Sequence, residues 1–192
     1  MRDLLTVVVA LIVTFLSGFV GAAELEGVRF DDKTTVAASE LVLNGVGVRS
    51  RFGKRYVIAL YLPARTSDAN AAVSAKGAKR VAITLVKDIS GSSLSLALLK
   101  GVENNSSASE MAALKERLRQ WSEMVTAIEE IKAGATILLD WTPGKGTLLT
   151  INGQAVGKEI PGDDFYAALL RVWLGAQPVQ DDLKRSLLGL AS

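Results

Sequence analysis

The stretch NGVGVRSRFGKRYVIALYLP at residues 44–63 holds Arg49, Arg51 and Tyr56 close together. A guanidinium presents a planar fork of donors to a carboxylate, and a phenol adds a single donor beside it. Held together, the two bind a carboxylate or a developing oxyanion. The stretch reads as a turn, a strand carrying Arg49 and Arg51, a glycine turn, and a second strand carrying Tyr56, which puts Arg49 and Tyr56 on neighbouring strands. Tyr56 shares its face with Ile58, Leu60 and Leu62, so its hydroxyl is expected at the rim of an apolar wall. Such a pocket selects an amphipathic acid. Arg51, two residues along, is expected on the face of Arg49 and is the alternative anchor. The competing reading is a solvated basic hairpin tip made of Arg49, Arg51, Lys54 and Arg55, with Tyr56 serving only as a strand former.

What the chain lacks narrows the chemistry. With no His and no Cys among 192 residues, the usual general base, the thiol nucleophile and nearly every zinc constellation are excluded, and neither metal nor cofactor is expected. A formal net charge of +2, from 22 basic and 20 acidic residues, is too near balance for a nucleic-acid surface.

Several elements are needed to position the pair. Residues 25–32, 41–52, 55–62 and 79–87 are rich in apolar and β-branched residues, separated by turn residues, and read as strands. Between the last two, TSDANAAVSAKG gives a short Ala-rich helix capped by Thr66, Ser67 or Asp68 and ending near Gly77, a connection long enough for a parallel crossover. Leu94, Leu98 and Val102 begin a helix that NNSS interrupts. A second helix follows, in which Met111, Leu114, Leu118, Trp121, Val125 and Ile128 recur at steps of three and four, the signature of a buried seam. ATILLDWTPGKGTLLTINGQAVGKEI reads as a three-stranded meander; its GKG lacks the Lys-Ser/Thr ending of a phosphate loop. Two short helices close the chain, with Asp163, Asp164, Asp181 and Asp182 at their starts, placed to cap them and complement their dipoles. Trp121 and Trp173 fall on apolar helical faces, where core packing is expected. The order predicts one α+β domain over residues 24–192, a sheet with helices on one face.

Residues 1–23 carry a charged start, an apolar run from Leu4 to Val20, and the small residues Gly21, Ala22 and Ala23 before Glu24. This is the layout of a signal peptide cleaved after Ala23, which predicts a periplasmic mature protein with no spanning segment. The alternative is a retained anchor, since the run approaches the length that spans a bilayer.

LNGVGVRSRFGKRYVIALYLP, VKDISGSSL, GDDFYAALLRVWLGAQPV and DDLKRSLLG, in this order, resemble the chalcone isomerase superfamily, and specifically its bacterial, exported chalcone-isomerase-like branch. The resemblance spans residues 26–189. It implies an open-faced antiparallel sheet under a helical layer, with a ligand cleft between them. The plant cyclases of the family turn a chalcone into a flavanone with an arginine, a threonine, a tyrosine, an asparagine and a further Ser/Thr. Carried over, the arginine falls on Arg49, the threonine on Tyr56, the tyrosine near Leu94, the asparagine near Gly101 and the Ser/Thr near Val172; Ser90, Ser92, Ser93 and Asn104 are the nearby stand-ins. Most of the cyclase's polar set is therefore unmatched. The family's fatty-acid-binding members hold a carboxylate with an arginine and a tyrosine, and Arg49 and Tyr56 resemble that pair.

Three functions are expected from this. The first is non-catalytic binding of a fatty acid or another amphipathic carboxylate, or of a planar aromatic ligand, by Arg49, Tyr56 or Arg51. The second is an intramolecular lyase acting on an enone phenol, with Arg49 on the phenolate and Tyr56 as acid. The third is an assembly or chaperone-like subunit. Leu94 and Val172 also raise the expectation of a cleft filled by its own side chains.

Overall fold

The computed structural model describes residues 22–190; residues 1–21, and with them most of the expected signal peptide, lie outside it. The chain runs β1 (Ala22–Leu25), β2 (Val28–Asp31), β3 (Lys33–Val36), β4 (Ser39–Ser50), β5 (Lys54–Leu62), α1 (Ala69–Ser74), β6 (Lys79–Leu85), α2 (Gly91–Asn104), α3 (Ala108–Thr126), β7 (Thr136–Thr142), β8 (Gly146–Ile151), β9 (Gln154–Ile160), α4 (Asp163–Leu174) and α5 (Asp181–Leu187). Strands β3 to β9 form one antiparallel sheet in sequential order, and β1 and β2 form a separate hairpin.

Alternation along β5 decides the two faces. Ile58, Leu60 and Leu62 join the main core beneath the helices, whereas Val57, Ala59 and Tyr61 point the other way. There they meet Phe30, Val36, Leu41 and Leu43, with Leu25 and Val28 of the β1–β2 hairpin packed alongside. The back of the sheet thus carries a second, smaller core. On the helical side the seam of α3 is buried through Leu114, Leu118, Trp121 and Val125, with Met111 and Ile128 half-buried at its ends. Each fully buried side chain of this size contributes about 1.5–3 kcal/mol.

Three local expectations change. Residues 25–32 are not one strand: Glu26 and Gly27, both at positive φ, turn the chain between β1 and β2. A further strand, β3, precedes β4, joined to it by a turn at Ala37, whose φ of 52° marks the reversal. The segment expected as a possible parallel crossover returns β6 antiparallel beside β5. Six-residue α1 spans about 9 Å, against about 30 Å for nine-residue β5, so it reverses the chain at one end of the sheet.

Caps set the helix starts. Asp68 accepts from Ala71 N–H at the start of α1, and Ser90 from Ser93 N–H at the start of α2. Ser107 and Glu110 form a reciprocal capping box on α3. Ser107→Ala is expected to lower stability by about 1 kcal/mol in urea unfolding; an unchanged midpoint would show that the box does not hold this end. The acidic pairs of α4 and α5 do not cap as expected. The N-cap residues are Gly162 and Gln180, and Asp164 instead accepts from Arg117 at 2.5 and 2.7 Å.

Candidate functional site

Between the helical layer and the sheet lies an open cleft of about 660 Å³, within the usual range for small-molecule sites. The sheet contributes Ile83, Leu85, Ile137, Leu139 and Leu149 to its wall, and the helices contribute Leu94, Leu98, Trp121, Val172 and Trp173. Leu94 and Val172 therefore line the space without filling it, contrary to the filled-cleft expectation. Arg49, Arg51 and Tyr56 all border it.

The register brings the pair together. Arg49 and Tyr56 are direct cross-strand partners of β4 and β5, and the ladder shifts immediately after them, between Arg49 and Ser50. Arg49 Nη1 donates to Gln180 Oε1 at 3.1 Å and to the Ser50 carbonyl at 3.2 Å. Its Nε–Nη2 edge makes no hydrogen bond among the described residues, and that edge is a fork a carboxylate can occupy bidentately. Tyr56 Oη accepts from Trp173 Nε1 at 3.0 Å, which leaves its own proton without a protein acceptor among the described residues. Two donors of a kind that can meet an anion thus stand side by side at the edge of an apolar wall.

Arg51 departs from the expected arrangement. It lies past the register shift, in the hairpin turn rather than on the face of Arg49, with its guanidinium 5.9 Å from the Phe52 ring centroid. It is exposed, whereas Arg49 is half-buried.

Burial raises the pKa of Tyr56, against smaller lowering effects of the Trp173 hydrogen bond and the Arg49 charge. The phenol therefore stays a neutral donor throughout the range in which a carboxylate is ionised. Tyr61 is likewise pushed up to about 12 by burial and then by Asp31, and the buried Tyr166 lies well above its ordinary value. These are all three tyrosines of the chain. In each the folded state holds its proton more tightly than the unfolded chain does. The stability they contribute is full below pH about 10 and is lost as pH rises from there toward the folded values. An absorbance titration is expected to show no phenolate step near pH 10 while the protein is folded. A separate step at that pH would contradict the placement of these side chains.

The electrostatics at the mouth are one-sided. Asp88, the one carboxylate of the lining, is occupied by Ala133 N–H at 2.8 Å and Lys132 Nζ at 3.1 Å, and these partners hold its pKa low. Arg49, Arg51, Arg55 and Lys87 also border the cleft, and none forms an ion pair among the described residues. No group of acidic residues suited to a metal ion occurs among the described residues.

Two participants were not legible in the sequence. Trp173, expected to pack in the core rather than to stack on a planar ligand, is buried and also holds the Tyr56 hydroxyl; Gln180, expected in no role, orders Arg49 and accepts from Ser50 N–H at 2.9 Å. They lie 117 and 131 positions from the groups they hold. Only the polar Gln just ahead of DDLKR hinted that something other than a conventional cap stood there.

The NGVG segment also behaves differently from the turn expected at its start. Asn44, Gly45 and Gly47 lie within β4, under α5. A Cβ on Gly45 would stand 2.6 Å from the Leu187 carbonyl oxygen and closer still to that of Ser186; one on Gly47 would stand 2.5 Å from Leu183 Cδ1. Glycine here lets a helix lie directly on a strand. The buried Asn44 side chain ties the junction, donating to the Leu187 carbonyl at 2.7 Å and the Thr66 carbonyl at 3.0 Å and accepting from Thr66 N–H at 2.7 Å. This junction fixes where Gln180, at the start of α5, meets Arg49.

Leu94, Gly101 and Val172, on which the cyclase's tyrosine, asparagine and Ser/Thr fall, all line the cleft and bring no polar side chain to it. Of the stand-ins, Ser90, Ser93 and Asn104 border the cleft, but the Ser90 hydroxyl is engaged with Ser93 as the α2 cap.

Among solved structures, a fatty-acid binding protein of Arabidopsis thaliana matches with a TM-score of 0.68 and 16% sequence identity, over 88% of this chain and 96% of that one. At that identity the likeness shows a shared fold. No curated protein matches. Residues 22–189, nearly the whole of what the structure describes, match the model of the chalcone isomerase-like family; the chain belongs to that family.

Proposed function

We propose that the protein binds a fatty acid or another amphipathic carboxylate without transforming it, the chain lying along the apolar cleft and the carboxylate meeting Arg49 and Tyr56. The observation that carries this is the pair itself: an ordered guanidinium beside a phenol, with a donor edge on the one and the proton of the other unengaged among the described residues. The fatty-acid binding relative in fold supports the same class of ligand. The apolar lining at Leu94, Gly101 and Val172 favours holding over cyclisation, because an enolate-forming reaction needs donors aimed where charge develops. Titration with dodecanoate, followed by displacement of a fluorescent fatty acid, tests the reading. Saturable binding at one site is expected; no binding of dodecanoate or longer acids would refute it.

As part of the same proposal, the charged start, apolar run and small residues of residues 1–23 act as a signal peptide, and the mature protein works in the periplasm. Cleavage after Ala23 would leave Glu24 and Leu25 of β1 to pair with Arg29 and Val28. Intact mass of the protein from its own cells reads this directly: an N-terminus at Glu24 is expected, and a retained Met1 would mean an anchor instead.

A further inference from the structure

The hairpin tip between β4 and β5 is a poor place for a phenylalanine. Phe52 is 88% exposed, and its backbone sits at φ 51°, a conformation that glycine or asparagine adopts at lower cost. Val86, partly exposed, lies beside the tip, its N–H donating to the Arg55 carbonyl at 2.9 Å. Around this apolar projection stand the exposed cations Arg51, Arg55 and Lys87, the last with its ammonium against Gly53. None of the three has a carboxylate partner among the described residues, whereas Arg80, Arg117, Arg119, Lys132 and Arg171 all do. An exposed aromatic ring ringed by unpaired cations has the chemistry of a group that enters the interface of an anionic bilayer: the ring settles at headgroup depth, and the cations meet lipid phosphates. Arg51, Arg55 and Lys87 border the cleft as well, so docking there would face the cleft mouth toward the lipid.

We propose that the β4–β5 tip is a docking site for an anionic lipid surface. The proposal stands independently of what the cleft holds.

The full chain is sedimented with vesicles of phosphatidylcholine alone and of equal parts phosphatidylcholine and phosphatidylglycerol, at low and high salt. Binding is expected on the anionic vesicles, weakened by salt. Phe52→Ser is expected to weaken it at least about tenfold, and Arg51→Ser with Arg55→Ser about thirtyfold. Because Phe52 is almost fully exposed, its variant should keep the wild-type unfolding midpoint, which separates a lost dock from a lost fold. Attachment through the apolar run Leu4–Val20 would be common to every variant and to both kinds of vesicle, and is subtracted as the binding to phosphatidylcholine alone. Binding indifferent to lipid charge, or unchanged by Phe52→Ser, overturns the proposal; so does an absence of binding, which would leave the patch to an acidic protein surface.

Discussion

Replacing Arg49 by alanine is expected to weaken binding of a long-chain carboxylate roughly 10- to 150-fold, as follows from losing charge-assisted hydrogen bonds of about 1.5–3 kcal/mol. The side chain is half-buried and its partners among the described residues are one carbonyl and Gln180, which retains its bond to Ser50 N–H. The fold should therefore survive. Arg49→Lys is expected to recover only part of the loss, because an ammonium keeps the charge but not the planar fork. Tyr56→Phe should cost less, since a neutral phenol contributes one hydrogen bond of about 0.5–1.5 kcal/mol. Displacement titrations of the three variants at neutral pH measure this order. Equal affinity for wild type and Arg49→Ala would remove the guanidinium from the site.

The second large effect is expected at Gly45, which does not line the cleft. Gly45→Val would drive a branched side chain into the Ser186 and Leu187 carbonyls, and backbone of a packed helix cannot move aside as a flexible side chain can. Overpacking of this kind costs about 1–3 kcal/mol, and the upper end is expected here. Displacing α5 would also pull the Leu187 carbonyl from Asn44 and carry Gln180 away from Arg49. The variant should thus lose both unfolding midpoint in urea and carboxylate affinity. A fully stable Gly45→Val would mean that α5 does not lie on β4 as described.

Much of the fold was legible because it rests on short-range periodicity. The three-and-four rhythm of α3, the alternation of β5 and the turns of the β7–β9 meander all report which face of an element is buried. The edge hairpins were not, because VRFD and KTTV are four-residue strands with little apolar pattern, and Ala37 is not a residue that announces a turn. At the site, Arg49, Arg51 and Tyr56 could be placed at the cleft from local strand pattern and the family resemblance. Their supports could not, since which tryptophan or glutamine reaches them depends on how α4 and α5 dock. The glycines of NGVG were misread for a related reason: sequence shows that a Cβ is missing, and only the fold shows whether a turn or a neighbouring helix needs it to be.

Whether the cleft holds an amphipathic carboxylate through Arg49 can be read from the protein as its own cells make it. Native mass spectrometry of the protein purified from its own cells, with extraction and identification of any bound lipid, tests it most directly when wild type and Arg49→Ala are compared. An acyl or aromatic acid is expected on the wild type and depleted in the variant. An acid carried equally by both, or a wild type that stays empty after incubation with long-chain acids, would contradict it.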